Sequence, residues 1–152
     1  MNALLLTIAI LGSSAQVQDS FLVRAPVPDV ANWMIAHQND VVASMKCRVV
    51  QRSGDRVRVV KETAVGVFEF VSQEQITQDG SGNIYYKSRL LQSIRGGMTE
   101  NSIDVSLRQY GASTLVTISG SVSVSGVSPF QVQVGANTAK RGFRNLMERT
   151  FR

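Results

Sequence analysis

The chain is short of the residues that most often do chemistry. It has one cysteine, one histidine and three prolines, and charged residues make up only 18% of it. A lone thiol, Cys47, closes no internal disulfide and leaves no cysteine pair for a metal cluster of the usual spacing. A lone histidine, His37, excludes a His-Glu-x-x-His metal site. There is no G-x-S-x-G nucleophile elbow, and Gly96-Gly97 lacks the lysine and helix start of a phosphate-cradling loop. The longest apolar or near-apolar run, Ala3 to Leu11, is about nine residues, whereas a bilayer-spanning helix needs about 20. Metal hydrolysis, Ser-His catalysis, nucleotide binding of the P-loop kind and a membrane-spanning helix therefore have no support.

What is present suits one globular domain. A chain of 152 residues with 43% hydrophobic content can bury roughly 68–70% of its unfolded surface, enough for a sizeable core. Sixteen basic residues against eleven acidic ones give a net charge of +5 and a pI near 9.9, which favours anionic partners without choosing among them.

The N-terminus carries its own signal. The run Ala3 to Leu11 is followed by Gly12, Ser13, Ser14 and Ala15, small residues of the kind a signal peptidase inspects. Residues 1–15 read as a secretory leader cut after Ala15, although its only positive charge is the terminal amine. On that reading the mature domain is 16–152 and the protein is secreted or periplasmic; if the segment stays on, the location is cytoplasmic.

Beyond the leader the hydrophobic period changes three times. Phe21-Leu22-Val23 reads as a strand ended by Ala25-Pro26. Pro28 and Asp29 then open a helix, the proline lacking an N–H that the first turn leaves unpaired and the carboxylate complementing the helix dipole. Val30, Trp33, Met34 and His37 share one helical face, and Asn39 or Asp40 caps a second short helix running to Met45. From Lys46 to Val124 the period is two, interrupted by turns at Ser53-Gly54-Asp55, Asp79 to Asn83, Gly96-Gly97 and Tyr110 to Ser113. Val67, Phe68, Phe70 and Val71 do not fall on one face, which predicts a bulge. Beyond Pro129, Val132, Ala136, Ala139, Phe143, Leu146 and Thr150 recur at helical spacing to the C-terminus.

A strand, two short helices, six further antiparallel strands and a long last helix make an α+β arrangement. It resembles the START-related helix-grip superfamily, which includes polyketide cyclase/dehydrase and lipid-transport proteins. The segments that carry the resemblance are Phe21 to Trp33, with its strand, prolines and helix opening, and the terminal Gly142-Phe143-Arg144-Asn145-Leu146-Met147-Glu148. The resemblance implies a seven-stranded curved sheet wrapped on the last helix. It also implies a cavity between them that binds or transports a hydrophobic or amphipathic small molecule or lipid. It carries over no catalytic residue and no cofactor.

The expected cavity lining follows from parity and helical face. Strand positions Phe68 and Phe70, then Tyr86, Ser88 and Leu90, then Ile103 and Val105 face inward, with Gln92 and Glu74 beside them. Trp33, His37 and Phe143 face the same space from the helices. An apolar wall with a few hydroxyls suits an amphipathic ligand, and equally suits a filled core. Glu69 and Glu74, five apart in one strand, fall on opposite faces and form no dyad. Cys47 shares the apolar parity of Val49 and reads as a buried, inert thiol. His37, whose ordinary pKa lies in the working range, reads as a packed helix-end residue, with acid–base work as the other reading. Lys46, Arg48, Arg52, Arg56 and Arg58 take the outward parity of two adjacent strands. Such a ribbon meets an anionic membrane surface or simply solvates and protects the sheet. No aromatics interleave with it, which argues against a nucleic-acid platform. Two further readings stand beside ligand holding: a cyclase- or hydrolase-like enzyme in the same cavity, and a protein-interaction module using the basic face.

Overall fold

The structure is a computed structural model that describes residues 13–152. The apolar run Ala3 to Leu11 lies outside the described residues. Strand β1 (Ser13–Val23) leads into helices α1 (Val27–Ala36) and α2 (Gln38–Ser44). Strands β2 (Arg48–Ser53), β3 (Arg56–Thr63), β4 (Gly66–Gln78), β5 (Ile84–Arg95), β6 (Met98–Tyr110) and β7 (Ser113–Val124) follow, and helix α3 (Pro129–Thr150) ends the chain. The seven strands form one sheet in the order β1-β7-β6-β5-β4-β3-β2, antiparallel at every pairing. This is the α+β helix-grip architecture, with two short helices after the first strand.

β1 starts earlier than the Phe21-Leu22-Val23 signal suggests. Ala15, Val17, Phe21 and Val23 alternate inward, and Ala15 pairs with Val122 and is buried. The intervening Gln, Asp and Ser side chains hide that alternation in the sequence. A leader cut after Ala15 falls within this strand and removes its first three residues.

Helix α3 is started by Pro129 and by a capping box in which Gln131 N–H donates to Ser128 Oγ at 3.2 Å while the Gln131 side chain accepts from Ser128 N–H. Its 22 residues span about 33 Å at 1.5 Å each. Along one flank it is tied to β1: Gln133 Nε2 donates to the Gln16 carbonyl at 3.2 Å, and Arg144 donates to Asp19 at 3.1 Å. On the other flank α2 closes against it at Gly142, where a β-carbon would meet the Ser44 carbonyl oxygen.

The side chains that α3 turns to the sheet change size along its length. Phe143 and Met147 in its second half are buried and pack on Phe21, Val30, Val105 and Val116, making a solid end, and Leu146 is buried too. In its first half only Val132 is comparably large and buried, and Gly135, Ala136 and Ala139 occupy the same stripe. Small residues facing a curved sheet leave space, and that is where the cavity lies.

Three strands break the two-residue period, β6 by an extra residue between Met98 and Glu100. β2 carries an extra residue between Val49 and Gln51, so Val50 is unpaired and the parity reverses after it. β5 carries irregularities opposite Glu69/Phe70 and Val71/Ser72. β4 keeps strict alternation, with Phe68, Phe70, Ser72 and Glu74 all inward. The bulge expected in β4 therefore sits in its neighbour.

Candidate functional site

A cavity of about 400 Å³ lies between the concave sheet face and the first half of α3. Its floor is Val57, Val59, Phe68 and Phe70 from β3 and β4, with Met98 and Ile118 from β6 and β7; its roof is Val132, Gly135, Ala136 and Ala139. The lining runs out to Val65, Phe130 and Val134, which are exposed large hydrophobics. A second space of about 60 Å³ lies under α1 and α2, and Glu74, Tyr86 and Ile103 line both.

One group of the main cavity's polar side chains lies at and beside that shared wall, while Lys61, Asn101, Ser102, Ser119, Ser121 and Lys140 line it elsewhere. Ser72 and Glu74 are consecutive inward positions of β4; Ser88 sits opposite Glu74 in the β4–β5 register, and Tyr86 is the next inward residue of β5. Tyr86 OH donates to Glu74 Oε1 at 3.0 Å, and Arg52 Nη1 donates to Glu74 Oε2 at 2.8 Å. Burial, with the charge of Glu74 and the hydrogen bond to it, pushes the Tyr86 phenol far above the ordinary tyrosine range, so it stays protonated. Ser72 is buried and its Oγ has no hydrogen-bond partner; Arg52 Nη2 is also buried without one.

Arg52 corrects the sequence reading. Counting by twos from Arg48 puts it outward, but the bulge at Val50 turns it inward, opposite Val57, to reach Glu74. Bulges commonly re-aim a side chain in this way. The outward ribbon is accordingly shorter. Arg48 and Arg56 remain exposed, Lys46 sits in the turn before β2, and Arg58 is paired with Glu69 at 2.9 Å.

The other expected lining residues separate into three groups. Phe68, Phe70, Tyr86, Ser88 and Ile103 line the main cavity. Val105 and Phe143 face only the smaller space and belong to the solid core. Leu90 packs against the second core cluster without lining the cavity, and Gln92, turned outward opposite Val71, is exposed. Trp33 and His37 line neither space. Their rings stack on one another at 4.5 Å, Trp33 sits edge-on to Phe151, and His37 Nδ1 lies 2.8 Å from the Trp33 carbonyl, so both serve in packing next to the C-terminus.

Sequence reasoning put Arg52 on the outer face, counted Ala136 and Ala139 in the helical stripe without marking them as the cavity's roof, and overlooked Ser72 and Lys61. Ser72 and Lys61 share the inward parity of their strands and were open to discovery by the count that found Phe70. Lys61 Nζ donates to the Met45 carbonyl at 2.9 Å and lies 4.0 Å from Cys47 Sγ. Burial pushes the Cys47 thiol up, against the opposing pull of the Lys61 charge. Among the described residues no three His, Cys, Asp or Glu side chains gather to hold a metal ion. The cavity thus offers apolar surface, a charge-compensated polar end and protonated hydroxyls, an arrangement suited to holding a molecule.

These features define a START-like helix-grip fold. The chain is similar in structure to a STAR-related lipid transfer protein from Xanthomonas axonopodis, with a TM-score of 0.68 and 12% identity over 90% of this chain and 85% of the other. It is similar to a START superfamily protein from Mycobacterium smegmatis, with a TM-score of 0.62 and 16% identity over 90% of this chain and 96% of that one. It is also similar to the Zhui aromatase/cyclase from Streptomyces sp. R1128, with a TM-score of 0.58 and 16% identity over 91% and 96% of the two chains. No protein-family model and no curated protein sequence matches the chain.

Proposed function

We propose that the protein binds or transports one hydrophobic or amphipathic small molecule or lipid in the cavity beneath α3. The observation that carries this reading is the cavity itself: about 400 Å³ falls within the ~300–1,000 Å³ of ordinary ligand sites, and its lining is apolar with a few convergent polar groups. The lipid-transfer protein among its structural neighbours supports the same reading. Native mass spectrometry and lipid extraction of protein purified without detergent test it. A co-purifying apolar ligand, or saturable uptake of a fluorescent hydrophobic probe, is the expected result; a ligand-free chain that takes up no probe contradicts it.

A cyclase- or hydrolase-like activity is the second reading. It draws on the convergence of Glu74 and Tyr86 in the cavity and on the aromatase/cyclase neighbour. Weighing against it, both oxygens of Glu74 are engaged, by Arg52 and by Tyr86, and the Tyr86 phenol is held in its protonated form, so the phenol is not poised as a base near neutral pH.

Export belongs to this proposal as well, on the sequence of residues 1–15 alone. N-terminal sequencing of protein recovered outside the cytoplasm tests it, an intact Met1 contradicting cleavage.

A further inference from the structure

We propose that Lys61 holds the ionised head of the ligand at the rim of the cavity, so that the ligand is a hydrophobic oxygen acid, a carboxylate or a phosphate monoester, and neither a neutral lipid nor an amine. The inference rests on the ligand-holding reading above and adds the charge and the placement of the ligand's head.

The charged groups of the lining are the starting point. Lys61 comes from β3, Glu74 from β4 and Lys140 from α3. Glu74 is balanced by Arg52 at 2.8 Å. Neither lysine forms an ion pair among the described residues, and residues 1–12 contain no aspartate or glutamate. The cavity wall therefore carries positive charge that the protein leaves unbalanced. A charge beside an apolar space is costly unless paired, and an anionic ligand supplies the pair.

Lys61 is the lysine placed to hold a head. Its Nζ donates to the Met45 carbonyl at 2.9 Å and lies 4.0 Å from Cys47 Sγ. An ammonium group has three donors, so one remains for a ligand. These contacts fix the charge beside the end of α2, on a strand whose inward row runs Thr63, Lys61, Val59, Val57 from the β3–β4 turn into the cavity. The row turns from polar to apolar on the way in. Val59 and Val57 are buried, whereas Val65 in the turn is exposed. Across the register Phe68 faces Lys61 and Phe70 faces Val59. A head at Lys61 thus lays its hydrocarbon between these valines and phenylalanines, while Lys140 adds positive field from the roof. A neutral hydroxyl accepts the same hydrogen bond but leaves the charge unbalanced, and an amine adds to it.

Displacement of the neutral fluorophore N-phenyl-1-naphthylamine from the full chain by dodecanoate, dodecyl phosphate, 1-dodecanol and dodecylamine tests the assignment. At least one acid is expected to displace it at concentrations about tenfold lower than the alcohol or the amine, the factor set by one charge-assisted hydrogen bond in place of a neutral one. The stronger of the two acids identifies the head. Lys61→Met is expected to erase that advantage without changing the affinity for the fluorophore. Lys61→Gln, which keeps a donor for the Met45 carbonyl but not the charge, is a second variant with the same expected direction, and Lys61→Arg is expected to retain the advantage. Displacement by the alcohol at concentrations equal to or below those of both acids overturns the assignment while leaving the cavity reading intact. So does an advantage that survives Lys61→Met and Lys61→Gln, or one that Lys140→Met removes as completely. Absence of fluorophore binding contradicts the cavity reading itself, and the head site falls with it.

Discussion

A β-carbon placed on Gly142 stands 1.9 Å from the carbonyl oxygen of Ser44. The backbones of α2 and α3 meet there with no room for a side chain. Gly142→Ala must separate the two helices, and overpacking of this kind costs about 1–3 kcal/mol. Gly135, on the same helix, has nothing within 4 Å of the corresponding position. Gly135→Ala is therefore expected to stabilise by up to about 1 kcal/mol through helix propensity. Urea unfolding of the two variants checks the opposite signs.

Tyr86 makes alkaline stability a report on the cavity wall. Its phenol is held protonated in the folded chain well above the ordinary value, so the unfolded chain ionises first. The stabilisation is complete below the unfolded pKa of about 10 and is lost as pH rises from there toward the folded value. Of the three tyrosines, Tyr86 is expected to be missing from the tyrosinate absorbance of the native protein at a pH where it appears in the unfolded protein. Tyr86→Phe is expected to remove this difference.

Cys47 lines the cavity, and its thiol is pushed up by burial. Since the thiolate is the nucleophile, alkylation by a maleimide is expected to be slow in the native protein at neutral pH and fast in denaturant. Saturating N-phenyl-1-naphthylamine is expected to slow it further. A native rate equal to the unfolded one contradicts the placement of Cys47.

Arg48 and Arg56 are what remains exposed of the basic strand face. A basic residue near an anionic bilayer contributes about 1 kcal/mol. If this face meets a membrane, the double charge reversal Arg48→Glu, Arg56→Glu is expected to weaken sedimentation with phosphatidylserine vesicles by at least about tenfold while leaving probe uptake unchanged. Unchanged sedimentation assigns the two residues to solvation.

The order of elements was legible because each announces itself locally. Pro28 with Asp29 marks the first helix, turn residues separate the strands, and the stripe from Val132 to Thr150 marks the last helix. Parity was less legible, since it propagates from each residue to the next and one insertion reverses everything beyond it. Val50 looks like any strand valine, yet its bulge moves Arg52 from the outer face to the inner one, where it pairs with Glu74, and irregularities in β5 move Gln92 the other way. Helical face was misleading at Trp33 and His37, which share the apolar face of α1 and pack on each other and on Phe151. The cavity itself was written in size: Gly135, Ala136 and Ala139 occupy the same stripe as Phe143 and Leu146, and periodicity counts them as equivalent.

Filling that small-residue stretch tests the central claim most directly. Equilibrium binding of N-phenyl-1-naphthylamine to the unaltered chain and to Ala136→Trp, both shown by circular dichroism to be folded, compares a cavity with its filled counterpart. Saturable binding of a single probe per chain that is lost in Ala136→Trp is the predicted result. Absence of saturable binding to the unaltered chain, or equal binding by the filled variant, contradicts a ligand held beneath α3.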